Sequence, residues 1–194
     1  MSRLRQPLEE GSITILRARA IATYPCSFML VASMNPTRGG SFLEEASDLS
    51  SVRSAKRYMS KISGPLLDRI DLQMEVQPVP FEKLSSDQAA EPSHKIRERV
   101  SRTRRIQQDR YKNQESLHCN GQMGAKETRR YCRIQSASLT MLQKAMKSLQ
   151  LSARAYDRIL RVSRTIADLS ECDEIKTEHI AEAIHYRSLD RLRV

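Results

Sequence analysis

"LSARAYDRILRVSRTIADLS", Leu151 to Ser170, decides how the second half of this chain folds. Ser152 stands where a helix N-cap would, because its hydroxyl can accept from a free N–H of the first turn. Behind it Tyr156, Ile159, Leu160 and Ile166 fall on one side of a helix, with Arg154, Arg158 and Arg161 on the other. Both flanks continue the pattern. Leu139, Leu142, Met146 and Leu149 recur at steps of three and four, and a last helix is predicted after Thr177 with Ile180, Ala183 and Ile184. Apolar stripes on successive helices predict a small helical bundle.

Toward the N-terminus comes a basic helix, His94 to about Lys112, where Lys95, Arg97, Arg99, Arg102, Arg104, Arg105, Arg110 and Lys112 face only Glu98 and Asp109. Such a run is either a solvated face or a phosphate-facing one. Before it, "PVPFEKLSSDQAAEPS" from Pro78 to Ser93 has the composition of a linker. Earlier still the apolar runs shorten: "ITIL" at Ile13 to Leu16, "FMLVASMN" at Phe28 to Asn35, and "DLQMEV" at Asp71 to Val76 are strand-like. The polar stretch Thr37 to Ser54 reads as a loop. The predicted organisation is a core portion at 1–80, a linker at 81–93 and a helical part at 94–194.

Composition narrows the partners. The chain has 194 residues, with 33 Lys and Arg against 23 Asp and Glu, a formal charge of +10 that favours nucleic acid or nucleotide phosphates. Tryptophan is absent and phenylalanine is scarce, which argues against a base-stacking platform. No apolar run approaches a membrane span and the first residues lack a secretory h-region, so the expected setting is cytoplasmic, away from membranes. Cys26, Cys119, Cys132 and Cys172 form no CxxC pair and the four histidines are scattered, so no metal site is expected. None of the six glycines precedes a lysine, so a P-loop is absent, and no strand ends in the Asp-Glu pair of a magnesium site.

The remaining signals fit the complement of such a site. Asn35 ends an apolar run, Arg69 follows "GPLLD" on a short turn, and Arg154 opens a helix; one amide and two guanidiniums on separate elements are the parts that read a phosphate group. Each also has a plainer reading. Asn35 can cap the turn before Pro36, Arg69 can pair with Asp68 or Asp71, and Arg154 can be a solvated helix residue. The stretch around Arg69, "SGPLLDRIDLQMEV" from Ser63 to Val76, is predicted to be a buried turn and strand built on Leu66, Leu67, Ile70, Leu72, Met74 and Val76.

Four stretches, "RQPLEEG", "YPCSFMLVASMNP", "RYMSKISGPLLDRIDLQMEVQPVPFEKL" and "LSARAYDRILRVSRTIADLS...IAEAIHYRSLDR", closely resemble the C-terminal part of the ComM-type (YifB-like) magnesium-chelatase-like AAA+ ATPases. That resemblance implies a fold class of α/β AAA+ core remnant, its late strands, followed by an all-α helical lid bundle. It implies that Asn35 is sensor 1, Arg69 an arginine finger acting in trans on a neighbouring subunit's nucleotide, and Arg154 sensor 2. ATP and Mg2+ are the implied cofactors of the intact protein, a hexameric ring its assembly, and DNA branch migration in natural transformation its role. Lacking Walker A and Walker B, this chain is expected to be a truncated piece that neither binds ATP tightly nor hydrolyses it alone.

Departures are local. Relatives often place paired cysteines where Thr37, Gly39, Asp48 and Ser50 stand here, so no zinc is expected there. A proline that would start a helix is replaced within Met123, Gly124 and Ala125. Two other readings stay open: a non-enzymatic regulator that docks on intact AAA+ subunits, and a basic helical DNA-binding module.

Overall fold

The computed structural model describes residues 4–34, 64–81 and 90–187, which fall into two compact units dividing between Ile70 and Asp71. In the first unit, helix α1 (Arg5–Glu10) stops at Gly11. The glycine takes the left-handed φ of 61° and returns its N–H to the Pro7 carbonyl at 3.1 Å. Strand β1 (Ser12–Arg17) then pairs antiparallel with β2 (Ala20–Pro25), Ser12 opposite Pro25 and Arg17 opposite Ala20. A single helical turn, α2 (Gly64–Leu67), closes the described part of this unit with Leu66 and Leu67 buried.

The strand expected at Ile13 to Leu16 lies within β1, and its partner β2 is a segment the sequence pattern did not single out. The apolar run at 28–34 joins no ladder among the described residues. Local alternation cannot make a strand unless a second backbone edge takes up its N–H and C=O groups. The polar stretch 37–54, with Thr37, Gly39, Asp48 and Ser50, lies outside the described residues.

In the second unit the expected burial of "DLQMEV" is reversed. Leu72, Met74 and Val76 are exposed, while Gln73 is buried and donates its N–H to the Tyr186 carbonyl at 2.8 Å. An extended segment shows both faces by turns, and here the polar residue has the inward position. Leu66 and Leu67 keep the buried turn; the strand does not form.

Four helices and a short one build the rest. They are α3 (Ser93–Tyr111), α4 (Ala125–Tyr131), α5 (Ser136–Ser148), α6 (Ala153–Leu169) and α7 (Thr177–His185). Their shared core contains Tyr111, Leu142, Ile159, Leu160, Ile166 and Ile180. On α5 the inward position expected for Leu139 goes to Ser138, whose hydroxyl meets that of Thr177 at 3.0 Å. At α4 the Glu127 carboxylate accepts from the Gly124 N–H at 3.1 Å, starting the helix without a proline. No helix among the described residues is long and apolar enough to cross a membrane.

Two caps give measurable consequences. Ser152 Oγ accepts from the Ala155 N–H at 3.2 Å, so Ser152→Ala is expected to lower the urea-unfolding free energy by about 1 kcal/mol. At α7, His179 Nδ1 accepts from the Lys176 N–H at 3.1 Å. Burial lowers the His179 pKa below the ordinary 6.5, against the pull of Glu178 and with help from Lys176 and Arg164. A lowered folded-state pKa means the unfolded chain takes the proton first. Stability is therefore full above 6.5 and falls as pH drops through the folded value. Urea midpoints measured from pH 8 to pH 5 should fall for the unaltered chain and fall less for His179→Gln.

Candidate functional site

Arg69 follows α2 on a turn held by two hydrogen bonds, its own N–H to Leu66 O at 2.9 Å and the Ile70 N–H to Leu67 O at 3.1 Å. With Leu66 and Leu67 packed inward, the turn places the guanidinium in a buried position, and there it forms an ion pair with Glu9 of α1. Asp71 pairs with Arg158 in the second unit. A buried guanidinium needs acceptors for its donors and is favoured by an anion, and a carboxylate presents a pair of oxygens as a phosphate can.

Arg154 occupies the second position of α6 and is exposed. The first turn of this helix carries no acid, so no carboxylate there offsets its partial positive charge. Asn35 lies outside the described residues. Arg69 belongs to the first unit and Arg154 to the second, each fixed by its own unit's packing.

Arg158 and Arg161, expected on the polar outer side of α6, turn to internal partners, and so does Arg164. Arg158 pairs with Asp71. Arg161 donates through Nη1 to the carbonyls of Gly121 at 3.0 Å and Met123 at 3.2 Å. Burial, with Arg158 close by, lowers its pKa. Arg164 donates from Nε to Asp168 at 3.0 Å and from Nη1 to the Asp173 carbonyl at 2.6 Å, tying α6 to the segment that leads into α7.

Asp168 is the centre of this arrangement. From the supposed surface of the basic helix, Arg110 reaches it with both terminal nitrogens, at 2.5 and 2.6 Å, and Asn120 Nδ2 adds a bond of 2.8 Å. Asn120 in turn accepts from Tyr111 OH at 2.7 Å, and its backbone N–H donates to Gln107 at 3.1 Å. Burial opposes the charge on Arg110, but the bonds and attraction to Asp168 outweigh it and raise the pKa. Burial likewise pushes Tyr111 up to about 12, partly countered by Arg110. The sequence held a signal for this network: Ile96, Val100, Thr103, Gln107 and Tyr111 follow one another at steps of four, three, four and four, an uncharged ridge within a basic helix. Among the described residues no group of three or more His, Cys, Asp or Glu side chains is placed to hold a metal ion.

Residues 90–187 match the family described as "Magnesium chelatase, subunit ChlI C-terminal", and residues 1–84 match "Magnesium chelatase, subunit ChlI". The chain belongs to this magnesium chelatase ChlI family and thereby to the magnesium-chelatase-like AAA+ proteins. Among individual relatives it is similar to the competence protein ComM of Haemophilus influenzae, 42% identical over 190 residues that cover 97% of this chain and 36% of the relative. YifB of Escherichia coli is 37% identical over 193 residues, 98% of this chain and 37% of that protein. A Mycobacterium tuberculosis protein is 31% identical over 184 residues, 95% and 36% of the two chains. The chain thus spans little more than a third of the length of the curated relatives it matches.

Proposed function

We propose that this chain supplies the outer, phosphate-reading parts of a ComM-type AAA+ ATPase. Residues 1–80 would belong to the later part of an α/β core, 81–93 to a linker and 94–194 to a helical lid. Arg69 serves as the arginine finger offered to a neighbouring subunit, Arg154 as sensor 2 and Asn35 as sensor 1. In the intact protein, a cytoplasmic hexameric ring, ATP hydrolysis with Mg2+ would drive DNA remodelling of the branch-migration kind. The observation that carries this reading is the buried Arg69 with a carboxylate against it, one anion held where another can take its place.

The residues present fit a nucleotide from outside and do not fit its cradle. Residues 1–194 contain no glycine-lysine phosphate loop, and Arg69 is read as acting on a nucleotide whose phosphates such a loop of a neighbouring subunit would hold. There Arg69 would exchange Glu9 for phosphate oxygens and offset charge that builds up during transfer. Arg154, at the mouth of α6, would add its charge to the positive end of that helix in the sensor 2 role.

The test mixes this chain with a full-length ComM-type subunit that carries both Walker motifs but lacks its own finger arginine. Restored ATP turnover on addition of the chain supports the reading. Unchanged turnover, with co-elution proving that the two associate, overturns the finger assignment.

A further inference from the structure

The two flanks of α3 differ in a way that its overall charge conceals. On one, Lys95, Arg99 and Arg102 are mixed with Glu98 and Asp109, and Arg99 pairs with Glu91 at 3.0 Å and Arg102 with Glu171 at 3.1 Å. On the other, Arg97, Ser101, Arg104, Gln108 and Lys112 follow at steps of four, three, four and four, the spacing that keeps residues on one side of a helix. This ridge contains no acid. Its three cations are exposed and have no carboxylate partner among the described residues, and Arg105 stands beside them in the same condition.

The basic surface extends past the end of the helix. Tyr111 packs edge-to-face on Tyr131 with ring centroids 5.4 Å apart, and Gln114 donates to Tyr131 OH at 3.2 Å, which seats α4 against the end of α3. Gln114, Lys126, Glu127 and Arg130 line one hollow of about 330 Å³ there. Its single acid, Glu127, is already engaged with the Gly124 N–H. Exposed cations of one sign on one surface create a local positive potential that favours a polyanion.

We infer that the ridge of Arg97, Arg104 and Lys112, continued by Lys126 and Arg130, is a docking surface for the sugar–phosphate backbone of nucleic acid. From Arg97 to Lys112 the helix spans about 22 Å at 1.5 Å per residue, long enough to meet several successive phosphates of a duplex that carries one charge per about 1.7 Å of axis. The ridge has no aromatic side chain on which bases could stack, so its cations are assigned to the backbone phosphates, contacts that carry no sequence information. This inference does not depend on the ATPase reading, and its test uses no nucleotide, so either can fail without the other.

The experiment measures fluorescence anisotropy of labelled duplex and single-stranded DNA of mixed sequence with the full chain between 50 and 200 mM salt. Two triple variants are compared: Arg97→Gln, Arg104→Gln, Lys112→Gln on the ridge, and Lys95→Gln, Arg99→Gln, Arg102→Gln on the paired flank. Both remove the same charge from exposed positions, and circular dichroism checks that both remain helical. The ridge triple should bind duplex at least tenfold more weakly at 100 mM salt and lose roughly 3 from the slope of log K against log salt, about 0.9 per phosphate contact. The flank triple should bind within threefold of the unaltered chain. Absence of binding at 50 mM salt overturns the proposal. So does an equal loss from both triples, which would mean net charge alone, or equal competition by polyglutamate, which would mean an acidic protein surface.

Discussion

Arg69→Ala should abolish the ATP turnover that the unaltered chain restores to a finger-less subunit, a loss on the order of 10³ or more. The size follows from what a finger does: it meets charge that builds up in the transition state, in a site from which water is excluded, so its removal acts on the barrier rather than on assembly. Arg69 is also buried beside Glu9, and removing it leaves that carboxylate without its ion-pair partner. Two further variants separate the effects. Arg69→Lys keeps a positive charge for Glu9 but loses the planar fork that can bind two oxygens at once, so turnover should remain far below that of the unaltered chain although the unit stays folded. Glu9→Gln keeps the arginine and should retain turnover. If Arg69→Lys restored full activity, the guanidinium would have no special part in the step.

Asp168→Ala is expected to cost about 3–5 kcal/mol of folding free energy, read as a fall in the urea midpoint of the helical unit. The carboxylate is 1% exposed and receives bonds from Arg110, Arg164 and Asn120. Its loss would leave two inward guanidiniums facing each other across the space it filled. The cost belongs to the stranded cations and not to the attraction alone. Replacing Arg110 and Asp168 together by alanine should therefore be less destabilising than the sum of the single changes, and a strictly additive cycle would refute the coupling.

Much of the helical unit was legible in the sequence because its signals are local. Ser152 announced the start of α6, and the three-and-four spacing of Tyr156, Ile159 and Leu160 announced its inner face. The same logic found α7 from Ile180 and Ala183. What sequence reading missed depends on distant partners. Arg110 reads as surface charge until it meets an acid 58 residues away. Arg158 and Arg161 read as outward because a guanidinium looks polar whether it faces water or a backbone carbonyl. Leu72, Met74 and Val76 alternate as a strand would, but alternation does not provide the neighbouring edge that makes one. Of the candidate site, the place of Arg154 at a helix opening was legible, whereas the pairing of Arg69 with Glu9, 60 residues earlier in the chain, was not.

The inward arginines decide how a systematic alanine scan of this chain should be interpreted. Arg110, Arg158, Arg161 and Arg164 hold helices and connecting segments together, so a loss of ligand binding at any of them would report damaged architecture. Arg97, Arg104 and Arg105 are exposed and make no ion pair among the described residues, and a loss there would report the ligand. Charge alone cannot separate these populations. A melting curve taken beside every binding curve can.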